Sequence, residues 1–384
     1  MKQLKILLLP SIIIFFSVVV YGADCIDGSR IEQGTGLPID GNCVEPPTLP
    51  YPNKYDCGAG MRLIQGTADT CIAGIEVGDP GPYPPLIECP SGQRLKQGTE
   101  ECIDVPNSSP VSLTLVSVLN DDIRETSGLA NVNGKIYTHN DSGGSNLLYE
   151  INASTGEVIR SITVNGATNV DWEDLAYDDT HLYIADIGNN LGNRTDLKIY
   201  KILKSDLNTN LTVNAETIAF SYTDQIKFTY DLFSTPYDAE ALIAYNGQLY
   251  VFIKNWADHT SKVYSIPTVP GSYEVTSVSE KALDVMVTGA AIDGAGSSVA
   301  LVGYTNSYDT DTPFKSMIVK LSNFAGNNFF SGSIAECEIE NSQVVGQVEA
   351  ILFNTPSEFY LSAEGITVLS VEYPAKLYKT EIIE

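Results

Sequence analysis

The chain has 384 residues, of which 43% are hydrophobic, and it carries 48 acidic against 22 basic residues, for a formal net charge of -26. Such a charge repels phosphate backbones and anionic lipid, so the composition argues against nucleic acid or a membrane surface as a partner. It attracts divalent cations and favours solubility.

Residues 1–22 are predicted to be a signal peptide. Two lysines precede an apolar run, Ile6 to Val20, that is too short and too close to the N-terminus for a typical membrane anchor. We therefore expect cleavage near Ala23, export to the periplasm or the extracellular space, and no membrane insertion after cleavage.

Residues 23–109 are predicted to form three small disulfide-rich modules with proline-rich spacers. Each repeat copy runs from one cysteine through Gly, Arg and Gln-Gly-Thr to a second cysteine. In an exported chain, six cysteines in so short a stretch indicate disulfides, and pairing within each module is the simplest of fifteen connectivities. Such bridges stabilise cores that are too small to fold alone. The expected pairs are Cys25 with Cys43, Cys57 with Cys71, and Cys89 with Cys102.

Residues 110–384 are predicted to form an all-β propeller. A short apolar phrase recurs five times, and each copy is followed by a turn and two further apolar runs. Successive copies start 46 to 67 residues apart, which is the spacing of propeller blades and not of solenoid turns. The five phrases are Ser127–Ala130, Glu173–Ala176, Glu240–Ile243, Gly289–Ile292 and Glu349–Leu352.

This repeat predicts five blades, each with three clear strands and a weaker fourth strand. The fifth unit ends at its third strand, so we expect the alternating run Val111–Leu119 to supply the missing strand and close the ring. Six blades would require a further unit within the insertion Lys201–Tyr237. Cys337 lies on the apolar face of an alternating run and is predicted to be a small core residue.

The residues that open the five phrases should converge, because the first strand of each propeller blade lines the central channel. Glu173, Glu240 and Glu349 are carboxylates, whereas Ser127 and Gly289 are interpreted as architectural. Like charges placed together are unfavourable unless a cation or a proton lies among them.

The second strands are predicted to end towards the same channel. Oxygen ligands without a second histidine nearby favour a hard cation, Ca²⁺ before Mg²⁺. Alternatively, the carboxylates need no metal, because they form ion pairs and hydrogen bonds with Lys254, Arg194 and backbone amides. No glycine-rich phosphate loop is present, so we expect no organic cofactor. The polar residues that end the second strands are Asp141, Asp186, Lys254, Tyr304 and Glu364.

Four motifs and one arginine carry a resemblance: His139–Gly144, Trp172–Ala176, Tyr183–Asn190, Asp238–Leu242 and Arg194. Through them, residues 120–384 resemble exported bacterial propellers, similar in kind to the phytase-like and gluconolactonase-like proteins. The resemblance implies calcium in or near the channel and hydrolysis of phosphate esters or lactones. Those enzymes have six blades, whereas this sequence shows five units.

The first functional hypothesis is a calcium-dependent hydrolase of a small anionic substrate. The metal would polarise the substrate or the attacking water. Lys254 and Arg194 would hold the anion, with Tyr304 also assigned to ligand binding, and His139 or Asp141 would move the proton. The expected metal ligands are Glu173, Asp186, Glu240, Glu349 and Glu364.

The second hypothesis is a secreted binding or adhesion protein without catalysis. The propeller would then be a rigid platform for an extracellular glycan or protein, and the cysteine-rich modules would act as a spacer. We expect a monomer in both cases.

Overall fold

The computed structural model describes residues 110–230, 232, 234–283, 285–305, 315–368 and 371–382, together with four short strands before residue 110. Pro106–Glu384 belong to one compact unit and Ile14–Val105 to another. In the described part of the chain, no helix is long and apolar enough to span a membrane.

The four N-terminal strands form two hairpins. Met61–Leu63 pairs with Cys71–Ala73, and Gln93–Leu95 pairs with Cys102–Asp104. These segments occupy the same positions in the second and third repeat copies, so the sequence repeat is also a structural repeat there. The signal peptide and the six cysteines expected to form disulfides lie outside the residues whose side chains the structure describes, so both calls stay predictions.

Five antiparallel sheets follow one another along the chain as the blades of a propeller, which confirms the five-blade count. Blade 1 contains Thr126–Val132, Lys135–Asn140, Leu147–Ile151 and Val158–Asn165. Blade 2 contains Trp172–Tyr177, His181–Asp186, Lys198–Leu203 and Glu216–Tyr222. Blade 3 contains Asp238–Tyr245, Gln248–Lys254, Thr260–Pro267 and Ser277–Ala282. Blade 4 contains Met286–Ile292, Ser298–Tyr304, Ser316–Ser322 and Ser333–Glu338. Blade 5 contains Val348–Phe353, Glu358–Ala363, Lys376–Glu381 and Thr114–Val118.

Short elements decorate these blades. The insertion before blade 3 supplies two strands. Thr212–Asn214 pairs in parallel with the fourth strand of blade 1. Glu216–Tyr222 is itself the fourth strand of blade 2. The insertion therefore extends existing blades and does not form a sixth. The remaining elements are the strands Gly271–Val275, Ile366–Val368 and Val371–Tyr373, the 3-10 helices Asp121–Ile123, Lys204–Leu207 and Phe329–Ser331, and the α-helix Ser342–Val345.

The apolar core has five main parts, one between each pair of neighbouring blades, and a small sixth cluster of Trp256, Met286 and Tyr304. Trp172 fills the part between blades 1 and 2, and Phe329 fills the part between blades 3 and 4. Cys337 is 3% exposed within the part between blades 4 and 5, which confirms its predicted core position. Each blade thus depends on both of its neighbours for burial.

The ring closes by joining the two ends of the domain. Thr114–Val118 pairs antiparallel with Lys376–Glu381, with Ser117 opposite Leu377. This strand falls within Val111–Leu119, so the predicted closure is confirmed. It removes the open edge that a three-stranded fifth blade would leave.

Replacing Thr114–Val118 by a glycine–serine segment of equal length should destabilise the whole ring. Glycine and serine have low strand propensity, so the replaced segment should detach from Lys376–Glu381. Losing about four ladder hydrogen bonds at about 1 kcal/mol each should then lower the unfolding temperature by about 10 °C. Calorimetry on the full chain would measure the shift. The matched control replaces Thr212–Asn214, which extends blade 1 without closing the ring, and an equal shift in the control would contradict this role.

Candidate functional site

A β-bulge interrupts the first strand of every blade at an equivalent place. The register with the second strand shifts, for example, between Trp172 and Asp174 in blade 2 and between Ala239 and Ala241 in blade 3. A bulge leaves a residue out of the ladder and re-aims its side chain. The residues at the five bulges are Ser127 with Gly128, Glu173, Glu240, Thr288 and Glu349.

The bulge in blade 4 corrects the sequence alignment by one residue, because Thr288 and not Gly289 is equivalent to the glutamates. The Thr288 hydroxyl donates to the carbonyl of Val348 at 2.8 Å, and the Ser127 hydroxyl donates to the carbonyl of Glu173. Both hydroxyls therefore link a first strand to the next blade. A Cβ on Gly289 would lie 2.5 Å from the carbonyl oxygen of Glu349, so this close approach requires glycine.

Asp174 follows the bulge of blade 2 and ties three blades together. Its fully buried carboxylate accepts the backbone N–H groups of Leu175 at 2.8 Å, Leu242 at 2.8 Å and Ala290 at 3.1 Å. Burial raises the pKa of Asp174 well above its usual range, while the three N–H donors act in the opposite direction. The role of Asp174 is structural, since its oxygens are already occupied.

Three other carboxylates converge at the end of the channel where the first strands begin. Asp141 follows the second strand of blade 1, Asp171 precedes the first strand of blade 2, and Glu173 lies at its bulge. Each offers an oxygen, and these oxygens lie within 4.8 Å of one another. We call Asp141, Asp171 and Glu173 the carboxylate triad.

The triad is electrostatically unfavourable as it stands. Burial and the neighbouring carboxylates raise the pKa of Asp141 and of Glu173 well above their usual range. Burial and the charge of Asp238 raise the pKa of Asp171 to about 7. Among the described residues, no lysine or arginine forms an ion pair with any of the three. The arrangement therefore requires protons or a cation.

The backbone of Gly188 closes one side of the triad. A Cβ on Gly188 would overlap both Glu173 Oε1 and Asp171 Oδ2, so a larger residue there would push these two carboxylates out of their present positions. Arg194 fixes this loop: its guanidinium donates to the Gly188 carbonyl at 2.7 Å and to the Asp186 carboxylate at 2.8 Å. Arg194 and Asp186 thus form a clamp behind the triad.

Lys254 lies fully buried on the blade 3 side. Its ammonium donates to both Glu240 oxygens, at 2.6 and 2.7 Å, and lies 4.9 Å from the Trp256 ring and 5.1 Å from the Tyr304 ring. Burial lowers the pKa of Lys254, but the Glu240 charge outweighs this effect and raises it well above its usual range. Lys254 therefore neutralises Glu240.

Further acids complete this end of the channel. Glu349 accepts a hydrogen bond from the Gln347 side chain at 3.0 Å. Burial, followed by the charges of Glu349 and Asp141, raises the pKa of Glu364 well above its usual range. Burial also raises the pKa of Glu125. We define the acidic end of the channel as the carboxylate triad with Glu125, Glu240, Glu349 and Glu364.

His139 lies apart from these acids. It is fully buried with its ring edge-on to Trp172, and its Nδ1 lies 2.9 Å from the carbonyl oxygen of Asn140. Burial lowers the pKa of His139 to about 4. This environment keeps the imidazole neutral and enclosed, which suits a core residue better than a proton carrier.

The structure brings most of the predicted site residues together. One end of the channel holds Asp141, Glu173, Glu240, Lys254, Tyr304, Glu349 and Glu364, with the Arg194–Asp186 clamp behind the triad. Three positions of the site are absent from the predicted site residues. The sequence places Asp171 at the channel beside the phrase of Glu173 but not among the expected ligands, whereas Thr288 and Gly188 can be recognised only from the bulge and from the close backbone approach.

A cavity of about 450 Å³ opens at the other end of the channel. Residues near the ends of the first strands line it, among them Tyr177, Tyr245 and Asp293. Asp174 lies between this cavity and the acidic end. None of the predicted site residues lines it, so the cavity and the acidic end are separate features.

Comparisons with known proteins assign no family to this chain and find only distant structural similarity. No family model matches the chain, and no curated protein matches it. Among solved structures it is similar to a glucose dehydrogenase, with 10% identity and a TM-score of 0.41 over 70% of this chain and 98% of that one. It is also similar to a putative 6-phosphogluconolactonase from Bacteroides uniformis, with 12% identity and a TM-score of 0.32 over 68% and 70% of the two chains. A third likeness is to an exo-beta-1,3-galactanase from Phanerochaete chrysosporium, with 12% identity and a TM-score of 0.42 over 69% and 63%.

Removing the Asp174 carboxylate should destabilise the propeller strongly. Asp174→Ala leaves three buried N–H groups without an acceptor, at a cost of about 3 to 6 kcal/mol. Asp293→Ala is the matched control, because Asp293 also accepts backbone N–H groups but in the turn at Ser297 and Ser298, where water can replace it. Denaturant unfolding would compare the two variants, and equal losses would contradict the role of Asp174.

The buried His139 should make stability depend on pH. The unfolded chain takes up a proton near pH 6.5, whereas the folded protein takes it up only near pH 4. Stability is therefore complete above pH 6.5 and falls by up to about 3 kcal/mol as the pH drops towards 4. His139→Gln should lose this component. The measurement is the difference in unfolding free energy between wild type and His139→Gln from pH 6.5 to pH 4. A difference that does not change with pH would refute the role of His139.

Proposed function

We propose that this chain is an exported propeller that binds a divalent metal ion, Ca²⁺ in preference to Mg²⁺, at the carboxylate triad. The observation that carries the proposal is the convergence of three carboxylate oxygens within 4.8 Å without a basic partner among the described residues. Calcium–oxygen distances of about 2.3 to 2.6 Å allow oxygens at this spacing to share one ion. The donor set, oxygen alone, fits a hard cation.

The acids around the triad support a hydrolytic role for the site. A bound ion supplies Lewis-acid chemistry by polarising a substrate oxygen or a water molecule. We assign proton transfer to Glu364 in place of His139, because Glu364 is half-buried and close enough to Asp141 for the two charges to interact, whereas His139 is enclosed. Burial and the charges of Glu349 and Asp141 raise the pKa of Glu364 well above its usual range, which favours a carboxyl group that can donate a proton. Lys254 holds Glu240 in place, and Arg194 holds the loop of Gly188.

A binding protein without catalysis is the second candidate. Aromatic side chains favour it, since Phe228 and Tyr230 are exposed on the loop that leads into blade 3. In this case the propeller is a monomeric recognition platform, and the disulfide-rich modules at residues 23–109 are a spacer. Turnover of a substrate would exclude this candidate.

Calcium should raise the unfolding temperature of the full chain, and a chelator should reverse the effect. At a calcium concentration of about 100 times the dissociation constant the stabilisation is about 2.7 kcal/mol, or about 5 to 10 °C. Glu173→Gln should abolish the shift. Gly188→Ala should weaken calcium binding about tenfold or more, because its methyl group displaces two of the three oxygens.

The matched control is Glu216→Gln on an exposed outer strand, which removes the same charge and should leave the calcium shift intact. A wild-type protein that shows no calcium shift would overturn the metal site. A panel of phosphate ester, lactone and glycoside substrates, assayed with wild type and Glu364→Gln, then separates the two candidates: a calcium shift without turnover favours the binding protein.

A further inference from the structure

We propose that the cavity at the other end of the channel binds a small molecule that has an apolar ring and a single carboxylate. This cavity is separate from the carboxylate triad, and its ligand is independent of the metal site proposed above. Three features of the described residues carry the proposal: an aliphatic floor, walls that are fixed by turns and ring packing, and one lysine at the cavity that has no acidic partner.

The floor of the cavity is apolar and is fixed from behind. Each of the five blades contributes one buried aliphatic residue near the end of its first strand. Three of these residues also donate their N–H groups to the Asp174 carboxylate, which holds the floor in place. The volume of about 450 Å³ lies within the range of small-molecule sites, about 300 to 1,000 Å³. The five floor residues are Leu129, Leu175, Leu242, Ala290 and Leu352.

The acids around the floor are mostly engaged in their own turns. Both oxygens of Asp178 accept hydrogen bonds, from N–H groups of its turn and from the Tyr183 hydroxyl at 2.7 Å. Both oxygens of Asp293 accept hydrogen bonds as well, from N–H groups of its turn and from the Ser297 hydroxyl at 2.6 Å. Asp179 is exposed to solvent, where its charge is screened. These turns make the walls rigid without presenting a free buried carboxylate to a ligand.

Two half-buried tyrosines, Tyr177 and Tyr245, add aromatic surface to the cavity. Tyr245 is fixed by ring contacts with Tyr250, Phe324 and Phe329, at centroid distances of 6.4, 6.1 and 5.8 Å. Within the part of the chain that the structure describes, no hydrogen bond reaches the hydroxyl of either tyrosine. Aromatic rings pack well against other rings. The cavity therefore offers a ring-shaped ligand both apolar contacts and two phenol hydroxyls.

Lys204 gives the cavity its preference for charge. It is the one lysine or arginine among the described residues that line the cavity. Its ammonium donates to the Asp178 carbonyl at 2.8 Å and lies 5.3 Å from the centre of the Tyr177 ring. No described carboxylate forms an ion pair with it. An ammonium has three N–H donors, so two of them stay available to an anion.

The charge of the ligand is limited by the rest of the protein. The chain carries 48 acidic against 22 basic residues, so additional negative charge on a ligand is repelled. One lysine balances one negative charge. A monoanionic carboxylate therefore fits this cavity better than a dianionic phosphate.

Isothermal titration of the full chain with indole-3-acetate, indole-3-acetamide and acetate tests the proposal. The two indole compounds share the ring, and the amide lacks the charge. We expect indole-3-acetate to bind, the amide to bind about tenfold more weakly because it loses a charged hydrogen bond, and acetate not to bind. Saturating calcium and Glu173→Gln should leave these affinities unchanged, because both act at the carboxylate triad. Binding that requires calcium or Glu173 would overturn the proposal.

Lys204→Met tests the charge, because it keeps an apolar stem and removes the ammonium. It should lower the affinity for indole-3-acetate about tenfold, to that of the amide, and leave the amide unchanged. A purely structural role of Lys204 would weaken both compounds equally. The matched control is Lys281→Met on an exposed outer strand, which removes the same charge and should change neither affinity. An equal loss in this control would show diffuse attraction and would overturn the proposal.

Gly294→Trp tests the location. Gly294 lines the cavity, and a Cβ there meets no atom within 4 Å, so the indole group can be added without a backbone clash. It should weaken binding of both indole compounds about tenfold or more. Ser154→Trp adds the same group to an exposed turn and should have no effect. Unchanged binding in Gly294→Trp, equal affinity of the two indole compounds for wild type, or no binding of either would overturn the proposal.

Discussion

The tight approach of the first strands around the channel is the constraint on which the rest of the propeller depends. Gly128 and Gly289 allow neighbouring backbones to pass where a side chain would collide. The carboxylate of Asp174 then accepts N–H groups from blades 2, 3 and 4 that would otherwise be buried without a partner. A narrow five-bladed ring is stable because these inward-facing groups are satisfied.

The same crowding creates the electrostatic character of the acidic end. Bulges turn Glu173, Glu240 and Glu349 out of their ladders and towards one small volume, and Lys254 compensates only Glu240. Stability alone would favour apolar residues or complete ion pairs at such positions. The stability of the fold alone therefore does not explain the carboxylates that lack basic partners.

The sequence was a good guide to the blades and a weaker one to the site. Regular spacing of apolar phrases predicted five blades, and the leftover alternating run predicted the closing strand. The sequence aligns Gly289 with the glutamates in place of Thr288, because Thr288 carries no carboxylate and its equivalence is visible only from the bulge in the structure. Asp171 lies outside the repeated phrase, and His139 is polar in sequence but enclosed by Trp172 in space. Contacts between distant segments decide such positions, and a single sequence does not display them.

Closure of the ring by Thr114–Val118 also has a kinetic consequence. This strand is synthesised before all the other blade strands, yet its partner, Lys376–Glu381, is the last strand of the domain. Contacts between segments so far apart in the chain form slowly, because a long loop must be ordered before they are made. The fifth blade is therefore completed late in folding, and until then its third strand presents a free edge to other chains.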